Sequence, residues 1–282
     1  VDKLTVMGAK GFIGSRFCEM FPEETIPLEK YDFIPRSNNI LYLISTIDNY
    51  NIHKDLHIDI DTNLKTLMNM LENVDSGMTI NFVSSFVYGQ NDNLPFKEDV
   101  TNCNPTGFYS ITKFAAEKML VSFCETFDIK YRIFRLANVL GVGDKKISKQ
   151  KNALQFLIKE IVKGNDVPLY YGGNVLRDYI HVDDVCSAIK LCIEKSKPNQ
   201  IINIGTGIPY LFSEIIKYAI VYSKSSSNII DIEPTQFHNI VQVKNSYLDI
   251  TKLENLGFKR IHKMESIIKE LVDFYKKERN VC

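Results

Sequence analysis

The sequence predicts an α/β fold, a doubly wound parallel sheet with crossover helices on its faces. Short, β-rich apolar runs alternate along the chain with longer stretches of helical period. A glycine triplet, Gly8, Gly11 and Gly14, falls between the first such run and the first such stretch. The length of 282 residues gives room for one large domain or two closely packed ones.

Taken in order, the apolar runs place strands at Leu4–Met7, Asn39–Ile44, Thr79–Val83, Tyr131–Leu136 and Ile201–Ile204. Helical periodicity places helices at Gly14–Phe21, Asp61–Leu71, Thr112–Phe127, Asn152–Lys163, Val182–Glu194, Leu211–Ser223 and Met264–Glu278. Only about two dozen residues separate the glycine cluster from the strand at Asn39, and Pro22, Pro27 and Pro35 interrupt any long helix there. A shortened second βα unit is expected.

Composition excludes several classes. Apolar residues make up 45% and charged residues 24%, and 34 basic side chains cancel 34 acidic ones. A protein that coats nucleic acid or an anionic membrane needs a basic face, so neither partner is expected. No run approaches 18 apolar residues, no basic-then-apolar leader opens the sequence, and the six cysteines form no CxxC pair or regular framework. A cytoplasmic protein with reduced thiols is expected. His53 and His57 stand four apart with Lys54 between them and no third ligand nearby, so no metal is expected.

Glycines at 8, 11 and 14 let a backbone turn tightly, approach a pyrophosphate and pack a helix against the sheet. The helix that follows, opening on Phe12 and Ile13, offers free N–H groups and its positive dipole end to phosphate. An acidic group some 20 residues on would hold the adenosine ribose; Glu29 and Asp32 lie in range. Lys30 and Arg36 would instead favour a 2′-phosphate, so the cofactor expected is NAD or NADP.

The run NFVSSFVYG ends a strand in two hydroxyls, Ser84 and Ser85, and YSITK puts Tyr109 and Lys113 on one helical face. An ammonium near a phenol stabilises tyrosinate, which would fit Tyr109 for acid–base work near neutrality. Ser84, from the neighbouring strand end, would orient the same substrate oxygen.

These motifs, with FRLANVLG around Asn138, RDYIHVDD at 177–184, NIGTG at 203–207 and a helix carrying Asn63, resemble the extended short-chain dehydrogenase/reductase family of nucleotide-sugar epimerases, dehydratases and reductases. The resemblance implies a Rossmann-type dinucleotide-binding domain at 1–138 and 178–206, and a smaller α/β substrate-binding domain at 139–177 and 207–282. It implies Ser84, Tyr109 and Lys113 as catalytic residues, Lys113 also holding the nicotinamide ribose. Gly8, Gly11, Phe12, Ile13, Gly14, Glu29 and Lys30 would bind cofactor, and Ser85, Asn138 and Arg177 substrate, the arginine by its fork on a phosphate. An ion pair with Asp178 is the plain alternative for Arg177. His181, Asp183 and Asp184 look structural, with Asp183 as a helix cap.

Departures from the pattern narrow the activity. Dehydratases of the family usually carry acidic side chains just after the position of Ser84, where this chain has Ser85 and Phe86. A second late arginine for the diphosphate is missing, with only Lys244 in its region. Reductase or epimerase remains, and short length favours a C4 ketoreductase making a deoxysugar, with a 4-epimerase as the alternative and a non-catalytic dinucleotide sensor as the competing class. The resemblance also implies a homodimer through the helices at 61–71 and 112–127.

Overall fold

In the computed structural model, which describes residues 3–91, 93–145, 147–148 and 151–281, every predicted strand joins one parallel sheet. The first half runs β1 (Leu4–Met7), α1 (Phe12–Met20), β2 (Thr25–Pro27), β3 (Asn39–Tyr42), then α2 (His57–Ile60), a π-helical turn over Asp61–Lys65 and α3 (Thr66–Leu71). Next come β4 (Thr79–Ser85), α4 (Phe108–Thr126), β5 (Lys130–Leu136), β6 (Asn138–Leu140), α5 (Ala153–Lys163), β7 (Val167–Tyr170), β8 (Leu176–Arg177) and β9 (Tyr179–His181). The chain closes with α6 (Val182–Lys195), β10 (Gln200–Ile204), β11 (Tyr210–Leu211), α7 (Phe212–Ser223), β12 (Ile229–Ile232), α8 (Gln236–Val241), α9 (Thr251–Asn255) and α10 (Met264–Val281).

The sheet order is β10-β5-β4-β3-β1-β2. Successive strands leave β1 in opposite directions, to β2 on one side and β3 on the other. Loops at the carboxyl ends of β1 and β3 therefore part and open a crevice. The expected shortening is visible: β2 has three residues, lies at the sheet edge and leads to β3 with no intervening helix. An edge strand tolerates Pro27, because one side of it needs no ladder donor.

Strands buried on both faces send alternate side chains to two cores. Leu4, Val6 and Leu41 meet Phe17, Val185 and Ile189 under α1 and α6. Met7, Ile40, Tyr42 and Phe82 meet Leu67, Met70 and Leu120 under α3 and α4. A third cluster gathers Ile158, Ile161, Ile216, Ile268 and Leu271 from α5, α7 and α10, and we take it as the core of the second lobe.

One carboxylate ties the two parts. Asp178 is 1% exposed and accepts from Thr206 N (3.0 Å) and Oγ1 (2.6 Å), Gly207 N (3.0 Å) and Leu248 N (3.4 Å). Asp178→Ala orphans these buried donors, at about 1–3 kcal/mol for each one left unsatisfied. A loss of several kcal/mol in urea denaturation is expected, and only part of it is restored in Asp178→Asn, whose amide nitrogen cannot accept from the N–H groups of Gly207 and Leu248.

Candidate active site

The crevice widens into a cavity of about 1200 Å³, larger than a single drug-sized ligand requires and lined from both lobes. At one end lie the glycines. Gly8 takes φ 86°, Gly11 N donates to Gly8 O at 2.9 Å, and a Cβ on Gly14 would stand 2.2 Å from Gly8 O. Only a glycine lets α1 start this close to β1. The N-terminus of α1 has no side-chain cap and no acidic residue in its first turn, so its N–H groups and dipole are left for an anion. Phe12 and Ile13 line the same wall.

At the adenosine end the loop after β2 brings Glu29, Lys30 and Asp32 to the cavity. Glu29 pairs with Lys10, Lys30 lies 4.5 Å over the Tyr31 ring, and Arg36 is held back on Asp32 at 2.9 Å and on Ile34 O. A carboxylate for a ribose diol and an ammonium for a 2′-phosphate are thus adjacent.

The reacting end is built from the carboxyl ends of β3 and β4 and the first turn of α4. Tyr109 is 4% exposed, and its phenol stands 2.9 Å from Ser85 Oγ. Of the two hydroxyls that end β4, the one bonded to Tyr109 is Ser85, not Ser84. Ser84 Oγ is buried on the cavity wall without a hydrogen-bond partner among the described residues. Such an orphaned hydroxyl, beside a cradle that admits no Cβ, fits a site shaped around a bound group. Ser45, three residues past the end of β3, lines the cavity near the phenol, its Oγ donating to Thr46 O at 2.6 Å, and the sequence reading does not single it out. Its position at a strand's carboxyl end was the available signal. Asn63 braces that loop, accepting from Thr46 N at 2.9 Å and donating to Thr112 Oγ1 at 3.0 Å.

The expectation that Lys113 lowers the Tyr109 pKa needs correction. Lys113 Nζ donates to Val83 O at 3.0 Å and sits 4.5 Å over the Phe82 ring. Burial pushes the phenol up, against hydrogen bonds from Ser85 and Ser45, and the charge of Asp59 adds to the rise. Burial also pulls the Lys113 ammonium down to about 8, with Glu117 opposing. Burial thus favours the protonated phenol and leaves Lys113 charged only below about 8.

At the opposite end, Arg177 donates to the carbonyls of Leu176 (2.9 Å), Lys244 (2.6 Å) and Val243 (2.6 Å). It does not pair with Asp178, whose carboxylate is taken up by backbone N–H groups, nor with another carboxylate among the described residues. Burial lowers its pKa, the sign of a cation without compensation. Asn138 Nδ2 donates to Asp178 O at 3.0 Å, and Lys145, Lys151, His238 and Lys244 line the same end.

The cap of α6 is His181, whose ring accepts from Asp183 N, and not Asp183, which takes a bidentate contact from Arg16 at 2.6 and 2.9 Å. Ligand atoms of His181, Asp183 and His262 lie within 4.8 Å of one another, but Arg16 holds the aspartate and Glu270 takes His181 Nε2 at 2.9 Å. No helix among the described residues is long and apolar enough to cross a membrane.

A Rossmann-type crevice with a glycine cradle at one end, a Tyr–Ser pair over a buried lysine at its middle and a lone arginine at the other defines a dinucleotide-dependent enzyme of the extended short-chain dehydrogenase/reductase type. The chain belongs to the NAD dependent epimerase/dehydratase family, whose model matches residues 40–205. It is 32% identical over 231 residues, 77% of this chain and 70% of the relative, to a protein of Methanocaldococcus jannaschii named "Putative UDP-glucose 4-epimerase". In structure it is similar to the UDP-glucose 4-epimerase of Thermotoga maritima solved with UDP-glucose, with TM-score 0.86, 22% identity, and 98% of this chain and 99% of that one covered. RMD from Pseudomonas aeruginosa complexed with NADPH matches equally well, with TM-score 0.86, 17% identity and coverage of 99% and 100%.

Lys113 holds a charge only below its depressed pKa. If that charge is needed, kcat/KM falls as pH rises through about 8. An alkaline limb appearing only near the ordinary lysine value of about 10.4 would assign no role to this ammonium.

Proposed function

We propose that the chain interconverts the C4 epimers of a nucleotide-activated hexose, with NAD or NADP held in the glycine cradle. The observation that carries this reading is the 2.9 Å Ser85–Tyr109 pair, standing between a phosphate-ready helix end and an arginine without a carboxylate. The bound dinucleotide supplies the hydride acceptor and donor.

The chain's own residues do the rest. Arg177, with the surrounding lysines, takes the anionic diphosphate and fixes the sugar's reach into the crevice. Ser85 holds the C4 oxygen against Tyr109, whose phenol oxygen, after giving up its own proton, would take the O4 proton as C4 is oxidised and return it as C4 is reduced; burial favours the protonated phenol, so its deprotonation precedes the first step. Lys113, when protonated, would offer a donor to the nicotinamide ribose. With Ser85 bonded to the phenol and Phe86 beside it, the wall after Ser84 carries no acid or base for expelling water from the sugar, which speaks against a dehydratase.

Epimerase is preferred over the C4 ketoreductase expected from chain length because the 32%-identical relative bears an epimerase name. A homodimer is retained in the proposal: Met68 on α3 and Ile111 on α4 are 41% and 45% exposed, and a second copy would cover them.

Tyr109→Phe removes the proton donor alone, so turnover of UDP-glucose or its dTDP, GDP or CDP counterparts falls about 10²–10⁴-fold while dinucleotide still copurifies. Near-normal turnover by this variant would sink the proposal. Stoichiometry separates the two activities: an epimerase equilibrates the sugars without net NAD(P)H consumption, whereas a reductase consumes one equivalent for each keto-sugar reduced.

A further inference from the structure

Behind the reacting end lies a carboxylate to which the proposed chemistry gives no part. Asp59 of α2 is 1% exposed. Both of its hydrogen bonds go to Oδ1, from Thr46 Oγ1 and from Asn51 Nδ2 at 3.0 Å, and among the described residues no cation pairs with it. The charged groups on the elements around α2 are engaged elsewhere: Lys54 with Asp48 at 2.8 Å, Lys65 with Asp61 at 2.6 Å, Arg135 with Glu117 at 2.7 Å, and Lys113 on Val83 O. The His53 ring packs on Phe237, and His57 is exposed. Burying a carboxylate without a cation costs free energy, and an uncharged oxygen would hold Thr46 and Asn51 equally well. Bracing alone therefore does not account for the charge.

From Asp59 a hydrogen-bonded path runs to the reacting helix. Thr46 Oγ1, committed as a donor to the carboxylate, accepts from Asn63 Nδ2 at 2.8 Å. The same amide donates to Thr112 Oγ1 at 3.0 Å, and Thr112 Oγ1 donates to Tyr109 O at 2.8 Å. Every link is buried, so salt and water screen the carboxylate little. β4 meets the phenol with the uncharged Ser85, and Lys113, on α4 itself, is turned to Val83 O. Asp59 is thus the charge that bears on the phenol, and it opposes ionisation.

Resting on the reading that Tyr109 is the acid–base group, we infer that Asp59 is a positioning residue for the reaction, whose carboxylate braces the first turn of α4 through Thr46, Asn63 and Thr112 and whose charge holds the proton on the Tyr109 phenol. The two roles separate because both donors meet one oxygen. Asp59→Asn keeps an acceptor at that place and removes the charge alone, whereas Asp59→Ala removes charge and acceptor together. Asp59→Glu keeps the charge and disturbs only the packing.

The test measures kcat/KM against pH for the dinucleotide-loaded wild type and these variants, with whichever of UDP-, dTDP-, GDP- and CDP-glucose the wild type turns over fastest. Phenolate is the scarce form on the acid side, so Asp59→Asn is expected to be faster than the wild type there by about 3–10-fold, a modest figure for one charge in a medium of effective dielectric about 20. The gain shrinks towards alkaline pH as the phenol ionises in both proteins, and a residue that only braces the fold would give no gain at all. Asp59→Ala falls below Asp59→Asn at every pH and melts lower, since Thr46 and Asn51 lose their acceptor. Thermal melting verifies folding, and Asp59→Ser, a second uncharged acceptor, repeats the test should the asparagine variant melt too low to assay. Folded asparagine or serine variants no faster than the wild type at acid pH overturn the inference and leave the Tyr109 reading standing, and so does a gain shown equally by Asp59→Glu. Turnover of none of these sugars by the wild type overturns that reading, and this inference with it.

Discussion

The position of the substrate end depends on the carboxylate of Asp178. It is buried at the seam where β9 leaves the second lobe and the chain returns to the sheet, and it draws the segments at 204–207 and 246–248 onto one point. A Cβ on Gly205 would stand 2.5 Å from Asp178 Oδ2, so even the neighbouring residue type is set by this close approach. A charge so deep is tolerable because backbone N–H groups, not a cation, satisfy it. That choice has a chemical consequence one residue away. Were Asp178 paired with Arg177, the guanidinium would be neutralised and its fork used up. With the aspartate satisfied elsewhere, Arg177 is anchored by three carbonyls and keeps its charge for an anion.

The reacting end follows a related logic. Tyr109 and Lys113 are both buried, and burial alone moves the phenol towards permanent protonation and the ammonium towards deprotonation. Neither group is poised by the other. Hydrogen bonds from Ser85 and Ser45 work on the phenol, while Glu117, itself locked to Arg135 inside the same helix–sheet layer, steadies the lysine. The acid–base balance is therefore distributed over β3, β4, α4 and β5, which makes the central sheet part of the chemistry and not only its support.

How much of this was legible depended on the kind of signal. Parallel strands buried on both faces write continuous apolar runs, and all five predicted strands are found, with small shifts at their ends. The second βα unit was expected to be shortened but its strand had no bounds, because the three residues of β2, ending in Pro27, carry no such run and pair with β1 only in the tertiary fold; the unit's helix is absent altogether. Tyr109 and Lys113 were readable as a candidate pair because helical spacing fixes their common face. Ser84 was read as the partner of the phenol, whereas Ser85 is the one bonded to it, since adjacent strand residues face opposite ways and one residue of register decides which reaches the phenol. The cap at α6 failed for a similar reason: Asp183 has the better cap chemistry, but Arg16, 167 residues away in sequence, claims it and leaves the role to His181.

A neutral total charge, 34 against 34, first argued only against polyanionic partners. The folded chain shows how a neutral total can leave a locally positive crevice. Lys10 with Glu29, Arg36 with Asp32, Lys151 with Asp144 and Arg135 with Glu117 cancel locally. The α1 N-terminus, whose first turn lacks an acid, and Arg177 do not cancel, and they lie at opposite ends of one crevice with Tyr109 between them. Potential in a low-dielectric cleft is set by the charges left unpaired there, so these points, with the unpaired lysines of the same lining, make the crevice locally positive in a chain of zero net charge. Under the proposed function, the span between them, and not the sum over the sequence, would determine which oxygen of a sugar nucleotide is brought to the phenol.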